Sequence, residues 1–483
     1  MHKYVPLAGA FAALVTLSAC GPKPGTLEGA TAALGAAKTE SITIAGNGKW
    51  YWFGQQIGPT EAWPPFELTK FNANISFAAP AARIEMARKA AADSTRGRGE
   101  VVQTADQYVE GAYAWNVNPA PAGGTPTTVA QPGAVTERLI EVWSTTPQGF
   151  LKAAQTNKAE VKPAGGGSEV SITLGASKFT GTINDKNEVT RIVTTLDNPV
   201  LGDMSYETAF SDYKDFGGLK FPGHIVRTIA GNPALDVTVT EAKANAAQTA
   251  PTPDAAKVAA PPQKVEAQNL APGVWYLTGG SHHNLLVEQK DQLVLVEAGL
   301  DETRSIAVLA KVAELVPNKP LKYVINTHSH FDHSGGLRTF VDAGATIVTH
   351  EANQPFYAKA WGQPHTLNPD KLAQSKKGPN FQTFTDKLVL EDPAHPVEVH
   401  LIAGNGHSAG FSMIYLPKEK ILMEADAYTS TPTVPTAAPA SPNPFLVNLV
   451  QNIERLKLDV ATVTPIHGPR VVPLAELRLM AGL

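Results

Sequence analysis

Apolar and polar residues alternate in short runs through the first half of the chain. The stretches 41–44, 83–86, 170–174 and 236–240 carry an apolar residue at every second position, the period of a half-buried strand. Turn-forming clusters such as Gly46-Asn47-Gly48 and Asn184-Asp185 separate these runs. One short helix is expected around 150–156. The pattern predicts a mostly antiparallel β domain over 41–244, with Trp50, Trp52 and Phe53 read as core aromatics.

The segment 245–264 is rich in Ala, Pro and Gln and has no apolar period, which marks it as a linker between domains. Beyond it the texture changes. Apolar runs at 274–277, 284–288 and 293–297 predict a three-strand meander. A helix capped by Asp301 follows, with Ile306, Leu309, Val312 and Val316 on one face. A short buried strand is expected at 323–326, then a helix over 335–343 stopped by Gly344. Further strands are expected at 346–349, 398–402, 411–416 and 421–424, and a helix from Asn443-Pro444 to Lys457. Strands alternating with helices predict an α/β domain over 265–483.

Composition sharpens this reading in two places. A net charge of -4, with no basic stripe, argues against a nucleic-acid partner. The one cysteine, Cys20, excludes an intramolecular disulfide. Lys3 opens a short positive region, and 7–16 is apolar and uncharged, too short to span a bilayer but of the length of a signal-peptide core. The run Leu17-Ser18-Ala19-Cys20 that follows resembles a bacterial lipoprotein lipobox. That resemblance implies a signal peptide over 1–19, acylation of Cys20, and a tether over 20–40. Gly21 after the cysteine implies, by the same likeness, a lipid anchor in the outer membrane facing the periplasm. Separately, 213–222 resembles strands in the curved-sheet domains of periplasmic lipoprotein carriers.

The candidate chemistry lies in the second half. The strand ending at Asn326 leads into Thr327-His328-Ser329-His330-Phe331-Asp332-His333, four ligand-type residues within six positions. Neutral imidazole and carboxylate are good zinc ligands, and His328 and His330 can point to one side of an extended segment while Asp332 and His333 face a second position. His407, Asp426 and His467 each follow an apolar run and should project from the same sheet edge. His350, His365, His395 and His400 have no such context and are read as non-ligands.

This ordered set of histidines and aspartates resembles the metallo-β-lactamase superfamily over about 265–483. The resemblance implies two mixed sheets between helices, an αββα sandwich. It implies two zinc ions, with iron or manganese as alternatives. His328, His330 and His407 would hold the first ion, Asp332, His333 and His467 the second, and Asp426 would bridge. A one-residue shift would instead bring Ala427 to the metals. Glu297 stands where an aspartate is common in the family, at a structural position. The likeness also implies that Asp332 orients the attacking water and that Tyr428 polarises a substrate carbonyl. It places His282 and His283 on a flap beside the site, while the loop 429–442 could border its mouth. The implied activity is hydrolysis of an ester, lactone, thioester or amide, β-lactams included, on a small-molecule substrate. Two alternatives stand beside it: an oxidoreductase resembling the mononuclear-iron persulfide dioxygenases, and a catalytically idle binding lipoprotein.

Overall fold

The structure is a computed structural model and describes residues 23–120, 124–247 and 251–483. Cys20 and the lipobox lie outside the described residues. Among the described residues no helix is long and apolar enough to cross a membrane.

In the N-terminal half, thirteen strands among the described residues form one antiparallel sheet. The chain starts at its middle with Ser41–Tyr51, meanders outward to the edge strand Thr127–Ala130, and crosses one face through two helices. It re-enters at the opposite edge with Glu160–Ala164 and returns until Asn232–Ala244 pairs with Ser41–Tyr51. The crossing helices, Val135–Ser144 and Pro147–Thr156, bury Ile140, Val142, Phe150 and Leu151 against the sheet. Gly181 makes this packing possible: a Cβ there would meet the Phe150 ring at 2.2 Å.

Two details depart from the pattern-based expectation. The tether expected over 20–40 is folded from Thr26 onward. Thr26 caps the helix Leu27–Ala33, and Ala30 and Leu34 are fully buried in the β-domain core. Its Gly/Ala/Thr composition hid the helix, because burial of small residues gives no strong apolar period. The helix Val135–Ser144 was also not expected. It buries Arg138, whose guanidinium donates to the Tyr108 and Trp115 carbonyls and to Asn116. An arginine at a core position breaks the apolar stripe that would have revealed it.

The C-terminal half holds two facing sheets. The first runs in order from the edge strand Glu266–Ala271, through the meander Val274–Thr278, Asn284–Glu288 and Leu293–Val296, to the parallel strands Leu321–Ile325, Thr346–His350 and Asn380–Phe384. The second contains Val397–Leu401, Ser412–Leu416 and Ile421–Thr429, with Thr462–His467 parallel to the last. Val287, Val296, Ile325 and Val348 of the first sheet share one core with Val399, Met413 and Met423 of the second. Leu286, Leu295 and Val324 face the other way, onto Val308, Val312, Leu337 and Phe340 of the helices Glu302–Leu315 and Leu337–Asp342. The helix Pro444–Arg455, started by Asn443 and with Pro at its first position, closes the outer side of the second sheet. The result is a four-layer αββα sandwich.

Candidate metal centre

All the ligand-type residues leave the sandwich at one edge, and local hydrogen bonds aim them. After Leu321–Ile325 the chain turns out of the first sheet. Asn326 holds that turn, donating to the His328 carbonyl at 2.7 Å and accepting from Tyr357 at 2.6 Å. Opposite, the ladder between Ile421–Thr429 and Thr462–His467 breaks after Glu424↔Pro465 and resumes at Thr429↔His467. The extra residues bulge out, and Glu424 secures the bulge by accepting from the backbone N–H groups of Ala427 and Tyr428. This aims Asp426 at the histidines and leaves Ala427 packed in the core.

Each Asp426 oxygen faces a different group. Oδ2 lies 2.9 Å from His407 Nε2 and 3.5 Å from His328 Nε2. Oδ1 lies 2.9 Å from His467 Nε2 and 3.1 Å from His333 Nε2. Two clusters able to hold a metal meet at this carboxylate: His328, His330, His407 and Asp426, and beside them His282, His333 and His467. Asp332 joins the second cluster, with Oδ2 3.4 Å from His282 Nε2 and 3.6 Å from His333 Nε2.

The second nitrogen of several rings is already engaged. His330 Nε2 donates to the Gln56 carbonyl at 3.0 Å, and His467 Nδ1 to the Ser281 carbonyl at 2.8 Å. His333 Nδ1 lies 3.2 Å from the Glu297 carboxylate. Thr327 gives its hydroxyl proton to Glu297, so His328 Nδ1 must donate to Thr327 Oγ1. Each pinned ring therefore turns its other nitrogen inward, and in the neutral ring that nitrogen carries the free lone pair. Consistently, His330 Nδ1, His333 Nε2 and Asp426 Oδ1 are buried without a hydrogen-bond partner among the described residues. Buried polar atoms left orphaned are costly, and a cation ligated by them removes the cost. The residues present fit a pair of metal ions.

Electrostatics agree. Burial, reinforced by His333, pushes His328 down to about 4, and burial with His328 and His407 holds His330 well below its usual range, favouring the neutral form that ligation requires. Burial also opposes the charge on Asp426, yet His333 and His407 outweigh it and hold the carboxyl well below its usual range. Burial opposes a charge on His333 too, but Asp426 and Glu297 raise it, so the same negative field awaits a cation there.

Other expected site residues divide. His282 sits in the second cluster, its ring 4.5 Å from that of His467. His283 turns away, bound by Tyr276 and the Gly280 carbonyl. Tyr428 does not join the centre: its hydroxyl donates to Glu476 at 2.5 Å in the interior. Glu297 does more than hold the backbone. It is fully buried, has a left-handed φ of 79°, and supports both Thr327 and His333.

The N-terminal domain reaches the centre as well, which sequence reasoning missed. Gln55 donates to Asp332 Oδ1 at 2.9 Å, and Gln56 supplies the carbonyl that holds His330. Phe331, between two ligand-type residues, gives its N–H to Gly54 and packs edge-on against Phe53 at 5.2 Å. Trp52 and Phe53, read as core aromatics, thus stand at the domain junction, Trp52 lining the cleft above the centre. No motif signals such residues, because their partners are more than 270 positions away.

An αββα sandwich with paired His/Asp clusters at one sheet edge is the metallo-β-lactamase fold, and the C-terminal domain has it. Residues 277–467 match the family model of the metallo-beta-lactamase superfamily. One curated relative is the 2,4-dinitroanisole O-demethylase subunit alpha of Nocardioides sp. (strain JS1661), 26% identical over 165 residues. That alignment covers 33% of this chain and 45% of the relative, so the chain spans less than half of the relative's length. Among solved structures, a metallo-beta-lactamase from Pontibacter korlensis is 24% identical, covering 46% of this chain and 98% of that one, with a TM-score of 0.33. The metallo-beta-lactamase FIM-1 from Pseudomonas aeruginosa, in a mono-zinc form, is 18% identical, covering 46% and 96%, with a TM-score of 0.35.

Proposed function

We propose that this chain is a dinuclear metal-dependent hydrolase, with zinc as the metal, acting on a small molecule with an ester, lactone, thioester or amide bond. One observation carries the reading: His328, His333 and His467, each pinned at one nitrogen, turn the other toward Asp426, a carboxylate placed between two clusters. His328, His330 and His407 would hold one ion, Asp332, His333 and His467 the other, with Asp426 between them. Bound there, two divalent cations would lower the pKa of a shared water towards ~7 and polarise the scissile carbonyl.

The remaining work falls to the chain. Burial opposes ionisation of Asp332, but its contacts with His282 and His333 keep the carboxyl far below its usual range. Asp332 therefore stays an acceptor at neutral pH and can orient an attacking water. Gln55 fixes one of its oxygens, leaving the other toward the second cluster. The cleft above has a volume of about 720 Å³, suited to a small molecule, and Thr429, Ser441 and Pro442 of the 429–442 loop form part of its mouth.

The test is an activity panel on the zinc-loaded full chain: aryl esters, lactones, thioesters, β-lactams and amides. The relative named for O-demethylation of 2,4-dinitroanisole adds an aryl methyl ether. Turnover of at least one class, abolished by a chelator and restored by zinc, is the expected result. No turnover of any class by a chain with both metals bound would defeat the proposal.

We further propose a lipid anchor at Cys20 holding the enzyme on the outer membrane within the periplasm. The support is the Leu17-Ser18-Ala19-Cys20 run after an apolar core.

A further inference from the structure

We propose that Arg98, from the N-terminal β domain, is the substrate-recognition residue of the cleft and selects substrates bearing a carboxylate beside an apolar body. This rests on the cleft being the substrate site of the proposed hydrolase, and it adds the substrate class.

The position of Arg98 follows from an unusually close approach of the two domains. A Cβ on Gly406 would lie 1.5 Å from the Arg96 carbonyl oxygen, so only glycine admits the 96–98 segment there. The same Cβ would lie 3.2 Å from Arg98 Cγ, which sets the arginine stem against the loop that carries His407. Arg98 and Asp93 exchange backbone hydrogen bonds at 2.9 Å in each direction, which fixes the backbone from which the side chain leaves. Arg98 lines the cleft together with His330, Asp332, His407 and Asp426 of the metal centre.

The guanidinium is half-buried, and no ion pair forms with it among the described residues, whereas Arg96 beside it pairs with Glu61. Burial lowers the pKa of Arg98, Arg96 adds to this, and Asp93 counters through space. Arginine keeps its charge in such surroundings, so a partly desolvated cation stands ready for an anionic partner. A planar fork of donors matches a carboxylate in two parallel hydrogen bonds.

The rest of the wall defines the body of the ligand. Trp52, Pro442, Pro444 and Phe445 give the cleft an apolar, partly aromatic lining. Glu100 also lines it but is exposed, and a solvated carboxylate at the rim is screened. The cleft therefore presents two positive poles, the metal centre when loaded and Arg98, with apolar walls between. An acyl compound with a carboxylate away from its reacting carbonyl offers a partner to each pole.

The experiment measures binding without turnover. Calorimetry titrates the zinc-loaded full chain with phthalate, which carries two carboxylates on one ring, and with benzoate, which carries one. Wild type should bind phthalate more tightly than benzoate. Arg98→Met should weaken phthalate binding by roughly tenfold or more while leaving benzoate within about twofold, the scale of one charge-assisted hydrogen-bonded pair. Arg98→Lys, which keeps the charge but not the fork, should fall between. No phthalate binding, equal binding by wild type and Arg98→Met, or equal losses for both ligands would overturn the inference. A chain that hydrolyses neutral esters yet shows no Arg98 effect would lose this inference and keep the hydrolase reading. The reverse pattern, Arg98-dependent phthalate binding without hydrolysis, would keep the inference and sink that reading.

Discussion

Replacing Asp426 by alanine is expected to weaken binding of the second metal ion by at least about 100-fold, since removing a mere outer partner of a ligand already costs about 10- to 100-fold. The carboxylate lies 2.9 Å from His407 on one side and from His467 on the other. Alanine offers no ligand atom and leaves two cations to repel each other across the gap. Competition against a chelator, with zinc counted per chain, reads the result. Retention of both ions at wild-type affinity would mean that the aspartate is no bridge.

The second large effect is expected at Asp332. Asp332→Asn should lower turnover by about 10²- to 10⁴-fold, the range for losing a group that handles a proton or orients a nucleophile. The amide nearly preserves shape and can still meet Gln55, but it carries no negative charge toward His282 and His333. Metal content is measured alongside. A folded, fully loaded variant with unchanged kcat would remove Asp332 from the chemistry.

These two residues also show what a sequence can disclose about such a centre. His328, His330, Asp332 and His333 crowd into six positions because one strand end delivers them all, so their spacing is legible without a structure. His407, Asp426 and His467 are legible because each ends an apolar run. The choice between Asp426 and Ala427 was not, since it depends on a bulge that a hydrophobic pattern does not register. Glu297 looked like a structural substitution, and only its contacts with Thr327 and His333 reveal that it orients candidate ligands. The family likeness implies a role for Tyr428 at the substrate carbonyl, but the strand carries its hydroxyl inward to Glu476.

The β domain was legible as alternating strands, but its part in the site was not. Gln55, Gln56 and Arg98 are ordinary residues between strands, and what gives them meaning is Asp332, His330 and Gly406 on the other domain. Contacts that join distant segments through backbone carbonyls and a missing Cβ leave no periodic trace. The linker thus separates two units by composition while the fold brings them back together over one cleft.

The proposed centre has two metal ions side by side at the edge of the sandwich with Asp426 between them. Anomalous diffraction from crystals of the zinc-loaded full chain, collected across the zinc absorption edge, tests it most directly. Two zinc peaks are expected, one among His328, His330 and His407 and one among Asp332, His333 and His467, both in contact with Asp426. A single peak, no peak, or ions bound away from these residues would contradict it.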